Sequence, residues 1–303
     1  MSADRVPRLH DDEAEIDARL VAELLASQFP QWSDRVPRAV QESGTDHVTF
    51  RLGSDLAARL PRNAYNAGQS EQDLQWLPRL GPQLPLAVPE PLAIGEPGCG
   101  YPYTWGVYRW LEGAAVSAEM ATDRRAAADL AAFIRALRSL DIAGAPLPSD
   151  GVYSRGKPLA PRDTEMREAI DQLRDEFDPG HVTDLWEACL SAPDWVDAPV
   201  LIHSDLMRGN ILAHQGRLSA VIDFGGLRAG DPAGDLLPAW HVFEGEARAV
   251  FRAEADLDDA AWARGLGWAL SIELLAIAYY RDRAPERTRR SCALVRAMLA
   301  DHG

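Results

Sequence analysis

The order of apolar and polar positions divides the chain into a strand-rich first part and a helix-rich second part. In the first part, short apolar or alternating runs are separated by turn residues, which predicts β-strands, and two longer runs have the period of amphipathic helices. Because proline has no backbone N–H, Pro78 is expected to end or kink the second helix. We predict strands over residues 36–41, 48–52, 56–60, 89–94 and 103–110, and helices over 11–29 and 69–77.

The second part repeats apolar residues mainly at helical spacing. Four prolines between residues 140 and 162 mark a loop-rich segment there. This arrangement predicts an α+β protein with two lobes, which we divide into residues 1–110 and 111–303. We predict helices over residues 118–140, 163–177, 182–190, 234–243, 245–255, 259–280 and 285–300.

One segment of short apolar runs and polar turns interrupts the helical part. Its apolar runs at residues 200–202, 211–213 and 220–222 predict a buried floor. The polar residues beside these runs include two acids, an amide and a histidine, which we expect along one edge of the floor: Asp205, Asp223, Asn210 and His203. A few polar groups that converge on an apolar site are typical of an active site.

The spacing within this segment can place two oxygen-bearing side chains side by side. If Gly216 and Arg217 form a two-residue hairpin loop, Asn210 lies opposite Asp223, with Cβ atoms about 5 Å apart. An amide oxygen and a carboxylate at that separation can share a Mg²⁺ ion, which prefers oxygen ligands. A loop at Gln215 and Gly216 would shift the pairing by two residues, so both registers remain open.

Three motifs in this order resemble those of one enzyme family. The chain reads H-x-D-x-x-x-x-N at residues 203–210, I-D-F-G at 222–225 and G-D-P-x-x-D-L at 230–236. The first two resemble the catalytic and metal-binding loops of the protein-kinase fold, and the third narrows the resemblance to the aminoglycoside phosphotransferase family of small-molecule kinases. Asp231 and Asp235 are expected to cap and anchor the helix that follows.

The resemblance implies a two-lobed, protein-kinase-like fold. Its small N-terminal lobe, residues 1–110, would hold a five-stranded antiparallel sheet with one helix and bind the nucleotide. The larger, mainly helical C-terminal lobe, residues 111–303, would carry the catalytic hairpin and bind the substrate.

The implied reaction transfers the γ-phosphate of ATP or GTP to a hydroxyl group of a small molecule. Asp205 would accept a hydrogen bond from that hydroxyl and take its proton, and Asn210 and Asp223 would hold Mg²⁺ at the nucleotide phosphates. His203 is expected to brace the catalytic loop through hydrogen bonds.

Residues 56–59 resemble the kinase strand that carries a phosphate-binding lysine, with arginine in its place. Strand alternation puts Ala57 and Arg59 on one face, where they would cover the base and the phosphates, and Arg62 is a competing candidate. The family pattern places an acid near Asp73 to pair with the cation. Glu71 is an alternative partner, and Asp73 can also be explained as half of a capping box that begins at residue 70.

Two further nucleotide contacts follow from the resemblance. The turn containing Ser43, Gly44 and Thr45 occupies the place of the phosphate-covering loop, where its backbone N–H groups could bind an anion, although an ordinary hairpin turn fits these residues equally well. The last strand of the first lobe runs into a linker that includes Arg109 and Leu111. Backbone groups of this linker would contact the edge of the base.

Composition limits the partners. The formal charge of −15 repels phosphate backbones, so we expect no nucleic-acid partner. No run approaches the roughly 18 apolar residues of a membrane span, and the N-terminus lacks a signal core, so we expect no membrane partner and a cytoplasmic location.

Because Lys157 is the only lysine, arginine must supply any phosphate contact that relatives make through lysine. The three cysteines lack metal-ligand spacing and fit reduced structural thiols.

One segment is far more acidic than the rest. Residues 163–187 contain nine acids and two arginines and carry −7 of the chain's −15. In the family that the chain resembles, helices before the catalytic loop help to wall the acceptor cleft, so an acidic wall would favour a polycationic aminoglycoside as acceptor. Two helices with solvated outer faces would explain the same count. Macrolides, sugars and amino alcohols are further acceptors that the resemblance leaves open.

Two other classes of protein fit parts of the sequence. A metal-dependent hydrolase could use His203, Asp205 and Asp223, with His214 or His241 as further ligands. An inactive nucleotide-binding scaffold would keep the fold but lose a motif residue. The motif acids and the amide are all present, which argues against the scaffold.

Overall fold

The computed structural model describes residues 13–40, 46–148 and 154–302. The chain forms two compact units. It leaves the first unit after Ala114, returns to it at Ser219 and leaves it again after Gly225. The first unit comprises Met1–Ala114 and Ser219–Gly225, and the second Ala115–Leu218 and Gly226–Gly303.

The first unit is built on an antiparallel sheet. Among the described residues its five strands are β1 (Pro37–Ala39), β2 (His47–Leu52), β3 (Leu56–Pro61), β4 (Pro91–Gly95) and β5 (Trp105–Arg109). Their order is β1-β2-β3-β5-β4, and all neighbours are antiparallel. This sheet confirms the five-stranded antiparallel lobe expected from the sequence.

Helix α1 (Ala18–Gln28) is shorter than the predicted helix over residues 11–29. It begins at Asp17, whose side chain accepts a hydrogen bond from the N–H of Leu20 and thereby caps the first turn. Residues 11 and 12 lie outside the described part of the chain. The apolar face of α1 joins the sheet in one hydrophobic core, which includes Val21, Leu24 and Leu25 from the helix and Phe50 and Trp105 from the strands.

Helix α2 (Gln69–Leu80) corrects two expectations. Its N-cap is Gly68, and no side chain caps it, so the capping-box explanation of Asp73 is wrong. Pro78 lies inside the helix, so of the two effects expected of it, an end or a kink, the first is wrong. The missing N–H of one proline near the C-terminal end is tolerated because Leu77 and Leu80, on either side of it, are both buried.

The returning segment 219–225 joins the first unit through backbone hydrogen bonds. The N–H of Ala87 donates to the carbonyl of Ser219 at 3.1 Å, and the N–H of Val221 donates to the carbonyl of Ala87 at 2.9 Å. This short parallel bridge fixes the backbone two residues before Asp223. Asp223 is therefore carried by the first unit.

The rest of the described chain is mainly helical, with short strands. The strands are β6 (Ala114–Ala115), β7 (Val200–Ile202), β8 (Ile211–His214), β9 (Arg217–Val221) and β10 (Arg228–Gly230). The helices are α3 (Arg124–Arg138), α4 (Asp163–Gln172), α5 (Pro179–Leu190), α6 (Pro238–His241), α7 (Gly245–Ala255), α8 (Asp259–Tyr280) and α9 (Pro285–Ala300).

Two long predicted helices are broken in the structure. The helix predicted over residues 118–140 begins as a 3₁₀ turn, Ala118–Thr122, and α3 starts only after Asp123, whose carboxylate accepts the N–H groups of Arg125 and Ala126. The helix predicted over 234–243 is replaced by a 3₁₀ turn, Pro232–Asp235, and the short α6. Proline at the start of α6 explains this second break, since it cannot continue the hydrogen bonds of a preceding helix.

Helix α8 is long and apolar enough to cross a membrane by length and composition alone. However, 67% of its apolar window is buried inside the protein. Its buried face also includes Arg264 and Glu273, which pair with Asp231 and His241 of the same unit. These features are those of a core helix, around which the second unit packs.

Candidate active site

Arg59 lies on β3 and pairs with two carboxylates of the first unit. Its Nη2 atom donates to Asp223 Oδ1 at 2.6 Å, and Nη1 lies 3.8 Å from Asp73 Oδ2. The Arg59 side chain is only 16% exposed, so its charge is held largely away from bulk water. Of the two acids that the sequence offered as partners, Asp73 makes the pair and Glu71 is exposed.

Asp73 projects from α2 into the interior and anchors Arg59. The hydroxyl of Tyr108, on β5, donates to Asp73 Oδ2 at 2.9 Å. Burial raises the pKa of Asp73 to about 6, although Arg59 and the Tyr108 hydroxyl favour its ionised form. Within the described part of the chain, Asp73 Oδ1 has no hydrogen-bond partner. Arg59 is therefore held by Asp73 of α2 as well as by Asp223.

Asp223 stands on a backbone with a positive φ of 66°, which is uncommon for a residue other than glycine. Its Oδ1 atom accepts hydrogen bonds from Arg59 and, at 3.1 Å, from Nε2 of Gln69. Burial disfavours the charged form, but the charge of Arg59 outweighs it and holds the pKa of Asp223 well below its usual range. Asp223 is thus an ionised carboxylate. We call Arg59, Gln69, Asp73, Tyr108 and Asp223 the Arg59 cluster.

In the second unit, the loop after β7 is held by a buried acid. Asp235 accepts the backbone N–H groups of His203 at 2.9 Å and Ser204 at 2.6 Å. Burial raises the pKa of Asp235 to about 7, although these two donors favour the ionised form. No side chain caps α6, so the sequence prediction that Asp235 caps the following helix is wrong. Asp231 does cap the 3₁₀ turn, through the N–H of Ala233, and also pairs with Arg264.

His203 is fully buried and its ring supports the loop that carries Asp205. The backbone N–H of Asp205 donates to His203 Nδ1 at 3.2 Å. This contact agrees with the bracing role expected for His203. The Asp205 side chain is 33% exposed and can be reached by a substrate.

Asn210 binds Asp205 twice. Its Nδ2 atom donates to the Asp205 carbonyl at 2.9 Å and to Oδ2 at 2.8 Å. The amide oxygen of Asn210 then has no hydrogen bond to any described residue, and neither has Asp223 Oδ2. Each residue thus keeps one oxygen of the kind that Mg²⁺ prefers.

The hairpin turn between β8 and β9 lies at Gln215 and Gly216, not at Gly216 and Arg217. Strand β8 ends at His214 and β9 begins at Arg217, and the two residues between them, Gln215 and Gly216, both have positive φ, 50° and 75°. Two positive φ angles define the type I′ turn that suits a two-residue hairpin. The loop at Gly216 and Arg217, which would place Asn210 opposite Asp223, is therefore wrong.

Other predicted residues lie apart from these contacts. Arg62 pairs with Glu13 in the interior, which removes it as a competitor for the role of Arg59. Ala57 is buried on β3, and Arg109 forms an exposed ion pair with Glu90. Leu111 is half-buried. The predicted phosphate loop, Ser43, Gly44 and Thr45, lies outside the described residues.

Sequence reasoning missed Gln69, Tyr108 as a polar partner, and Arg155. Arg155 Nη1 donates to Asp205 Oδ1 at 2.7 Å. Its only sequence signal is its position beside Gly156 in a loop-rich segment, which does not identify a contact 50 residues away along the chain. In the described ranges, no group of three or more His, Cys, Asp or Glu side chains could hold a metal ion.

A β-rich unit with an arginine–carboxylate cluster, followed by a helical unit with an H-x-D…N loop, defines a phosphotransferase with a kinase-like fold. The sequence profile of APH, the phosphotransferase enzyme family, matches residues 38–268, more than half of the chain. The chain belongs to this family, which confirms the resemblance and the prediction of a phosphotransferase. No curated protein sequence matches the chain.

Solved structures show the same fold. The GDP and kanamycin complex of APH(2")-IIia has a TM-score of 0.74 at 20% identity, over 93% of this chain and 99% of that chain. The streptomycin and ATP complex of APH(2")-IIa has a TM-score of 0.59 at 17% identity, over 93% and 99%. Macrolide 2'-phosphotransferase MphH from Brachybacterium faecium, as apoenzyme, has a TM-score of 0.59 at 19% identity, over 92% and 97%.

If Arg59 binds phosphate as the resemblance implies, replacing it by methionine is expected to raise the nucleotide Kd about tenfold or more, because a charge-assisted contact would be lost. Isothermal titration with Mg-ATP and Mg-GTP measures the change. Arg51→Met is the matched control, since Arg51 lies on the same sheet but pairs with the exposed Glu112. Equal affinity of Arg59→Met and the wild type would remove Arg59 from the nucleotide site.

Proposed function

We propose that this chain transfers the γ-phosphoryl group of ATP or GTP to a hydroxyl group of an aminoglycoside antibiotic in the cytoplasm, and so confers antibiotic resistance. The observation that carries the proposal is the Asp205 carboxylate, which is accessible, oriented by hydrogen bonds and set in a loop fixed by Asp235. Family membership supports the reaction, and the folds of the kanamycin and streptomycin complexes support the acceptor class.

In this proposal Asp205 accepts a hydrogen bond from the acceptor hydroxyl and aligns its oxygen. That oxygen bonds to the γ-phosphorus as the bond from phosphorus to the β–γ bridging oxygen breaks, and ADP or GDP leaves with the electron pair. The hydroxyl proton passes to Asp205 as transfer proceeds. Arg59, anchored by Asp73, binds phosphate oxygens of the nucleotide.

Asn210 and Asp223 are the proposed ligands of Mg²⁺, through the oxygens that other residues leave open. When bound, the ion neutralises charge on the nucleotide phosphates. The backbone groups of Arg109 and Leu111, and the turn of Ser43, Gly44 and Thr45, remain proposed nucleotide contacts.

A substrate panel tests the function. The purified protein is incubated with Mg²⁺, ATP or GTP, and kanamycin, gentamicin, streptomycin, a macrolide or choline, and the acceptor is examined by mass spectrometry for one added phosphoryl group. We expect phosphorylated aminoglycoside, and no product when a chelator removes the metal. Phosphorylation of the macrolide alone would contradict an aminoglycoside acceptor and indicate a macrolide acceptor. A macrolide is the second candidate because the MphH enzyme has the same fold.

The acidic segment supports a cationic acceptor less strongly than its sequence suggested. Five of its nine acids have an arginine partner, and two of these arginines, Arg281 and Arg296, come from outside the segment. The five acids are Asp163, Asp171, Asp175, Glu176 and Glu187. Ion pairing of acids in α4 and α5 and in the turn between them therefore accounts for part of the charge.

The remaining charge still predicts a salt effect. Acceptor KM is expected to rise about threefold or more between low and physiological ionic strength, while nucleotide KM changes less, because exposed charges are screened beyond about 8 Å. The double variant Glu168→Gln, Asp184→Asn should flatten this dependence. Glu119→Gln, which changes an exposed acid in the 3₁₀ turn before α3, should not. An acceptor KM that ignores salt would contradict a polycationic acceptor.

A further inference from the structure

The Asp205 carboxylate is the base of the proposed reaction, and Arg155 donates a hydrogen bond to one of its two oxygens. Its Nη1 atom donates to Asp205 Oδ1 at 2.7 Å and to the Ser204 carbonyl at 2.5 Å. The other carboxylate oxygen, Oδ2, accepts from Asn210. Two donors from separate segments therefore fix both the direction of the carboxylate and the rotation of its plane.

The backbone beside Arg155 is fixed on both sides to the sheet formed by β7 and β10. Ser154 is buried, and its Oγ accepts from Arg228 Nη1 at 2.5 Å. Gly156 has a positive φ of 88°, and a Cβ atom there would lie 2.7 Å from Cδ1 of Ile202. Only glycine fits this close approach without strain. Arg155 therefore lies in a segment that packs against β7, the strand that leads into the Asp205 loop.

The contact also leaves donors unused. Among the residues that the structure describes, neither the buried Nε atom of Arg155 nor its Nη2 atom has a hydrogen-bond partner. Such an unpaired buried donor is unfavourable, and a pair in which Arg155 is 21% and Asp205 33% exposed adds little to stability. The ion pair with Asp205 therefore does not by itself explain why an arginine is held here.

We propose that Arg155 is a positioning residue for the phosphoryl transfer, which holds the Asp205 carboxylate in the orientation that aligns the acceptor hydroxyl. This inference rests on the proposed function. With Asn210 alone as side-chain donor, the carboxylate can rotate about its last bond, and misalignment of the reacting oxygen lowers the rate without altering how tightly the nucleotide binds.

Steady-state kinetics of Arg155→Met, Arg155→Lys and Asp205→Asn test the proposal, together with the double variant Arg155→Met, Asp205→Asn. We expect Arg155→Met to lower kcat about a hundredfold, the scale of a misplacement of about 1 Å, with both KM values within about threefold and Tm nearly unchanged. Arg155→Lys, which keeps a charged donor, should recover part of the loss. Arg252→Met, on α7 and paired with the exposed Asp259, is the control for loss of one charge.

The double variant separates positioning from a structural role. If Arg155 acts through Asp205, removing it from the Asp205→Asn protein should lower kcat no further. An Arg155→Met kcat within about threefold of the wild type, or fully additive losses in the double variant, would overturn the inference. A wild-type protein that phosphorylates no acceptor would instead overturn the proposed function, so the two failures are distinguishable.

Discussion

Asp205→Ala is expected to lower kcat by at least about a hundredfold, the low end for a positioned general base, while the nucleotide Kd stays unchanged. The described side-chain partners of Asp205 are Arg155 and Asn210, and neither belongs to the Arg59 cluster. The variant removes the group that aligns the acceptor hydroxyl and leaves the arginine proposed to bind phosphate intact. Initial rates at saturating acceptor and nucleotide titrations measure the two effects separately.

A matched control for this variant is Asp129→Ala, which removes a partly exposed acid of α3 whose nearest arginine contact is 4.0 Å away. Its kcat should equal that of the wild type. A decrease in nucleotide affinity in Asp205→Ala as large as the decrease in kcat would show that Asp205 binds the nucleotide, and would contradict its role as base. Retained turnover would remove Asp205 from the chemistry altogether.

Much of the fold could be predicted because local signals agree with tertiary packing. The predicted bounds of the last three helices match α7, α8 and α9 to the residue. Helix α8 begins where Asp258 caps it, and its length follows from a long apolar run that is buried. The strands of the first unit were also predicted within a few residues, since turn residues separate their apolar runs.

The errors arose where one local signal competed with another. Apolar spacing continues through Asp123, but its side chain caps a new helix there, and helix period alone does not reveal the break. Pro78 suggests a helix end, but α2 continues to Leu80, where burial of Leu77 and Leu80 stabilises it. The turn at Gln215 and Gly216 was one of two registers that the residues allowed.

The motif residues of the candidate site could be predicted, but several of their partners could not. Spacing along the chain singled out Asp205, Asn210 and Asp223. The sequence offers two acids of α2, Glu71 and Asp73, as partners of Arg59. Only the structure identifies Asp73, through the start of the helix at Gly68 and the contact itself. Arg155 reaches Asp205 because Gly156 packs against Ile202, a contact between distant segments that leaves no periodic trace in the sequence.

Asp223→Ala is expected to lower phosphotransfer by at least about a thousandfold, since a proposed ligand of the phosphate-bound metal is lost. The structure adds a second effect. Asp223 is 26% exposed and pairs with Arg59, so its removal leaves a largely buried guanidinium with Asp73 as its remaining carboxylate. We expect the free energy of unfolding to fall by about 1–2 kcal/mol, less than for a fully buried pair. Thermal denaturation measures this loss independently of activity.

Asp223→Asn separates the two effects. The amide oxygen can still accept hydrogen bonds from Arg59 and Gln69, so the variant should be closer to the wild type in stability than Asp223→Ala. It lacks the negative charge that favours a divalent cation, so turnover should stay low and should require higher Mg²⁺ concentrations. If Asp223→Asn turns over at the wild-type rate with the wild-type Mg²⁺ dependence, Asp223 serves only to hold Arg59, and the metal must be bound by other residues.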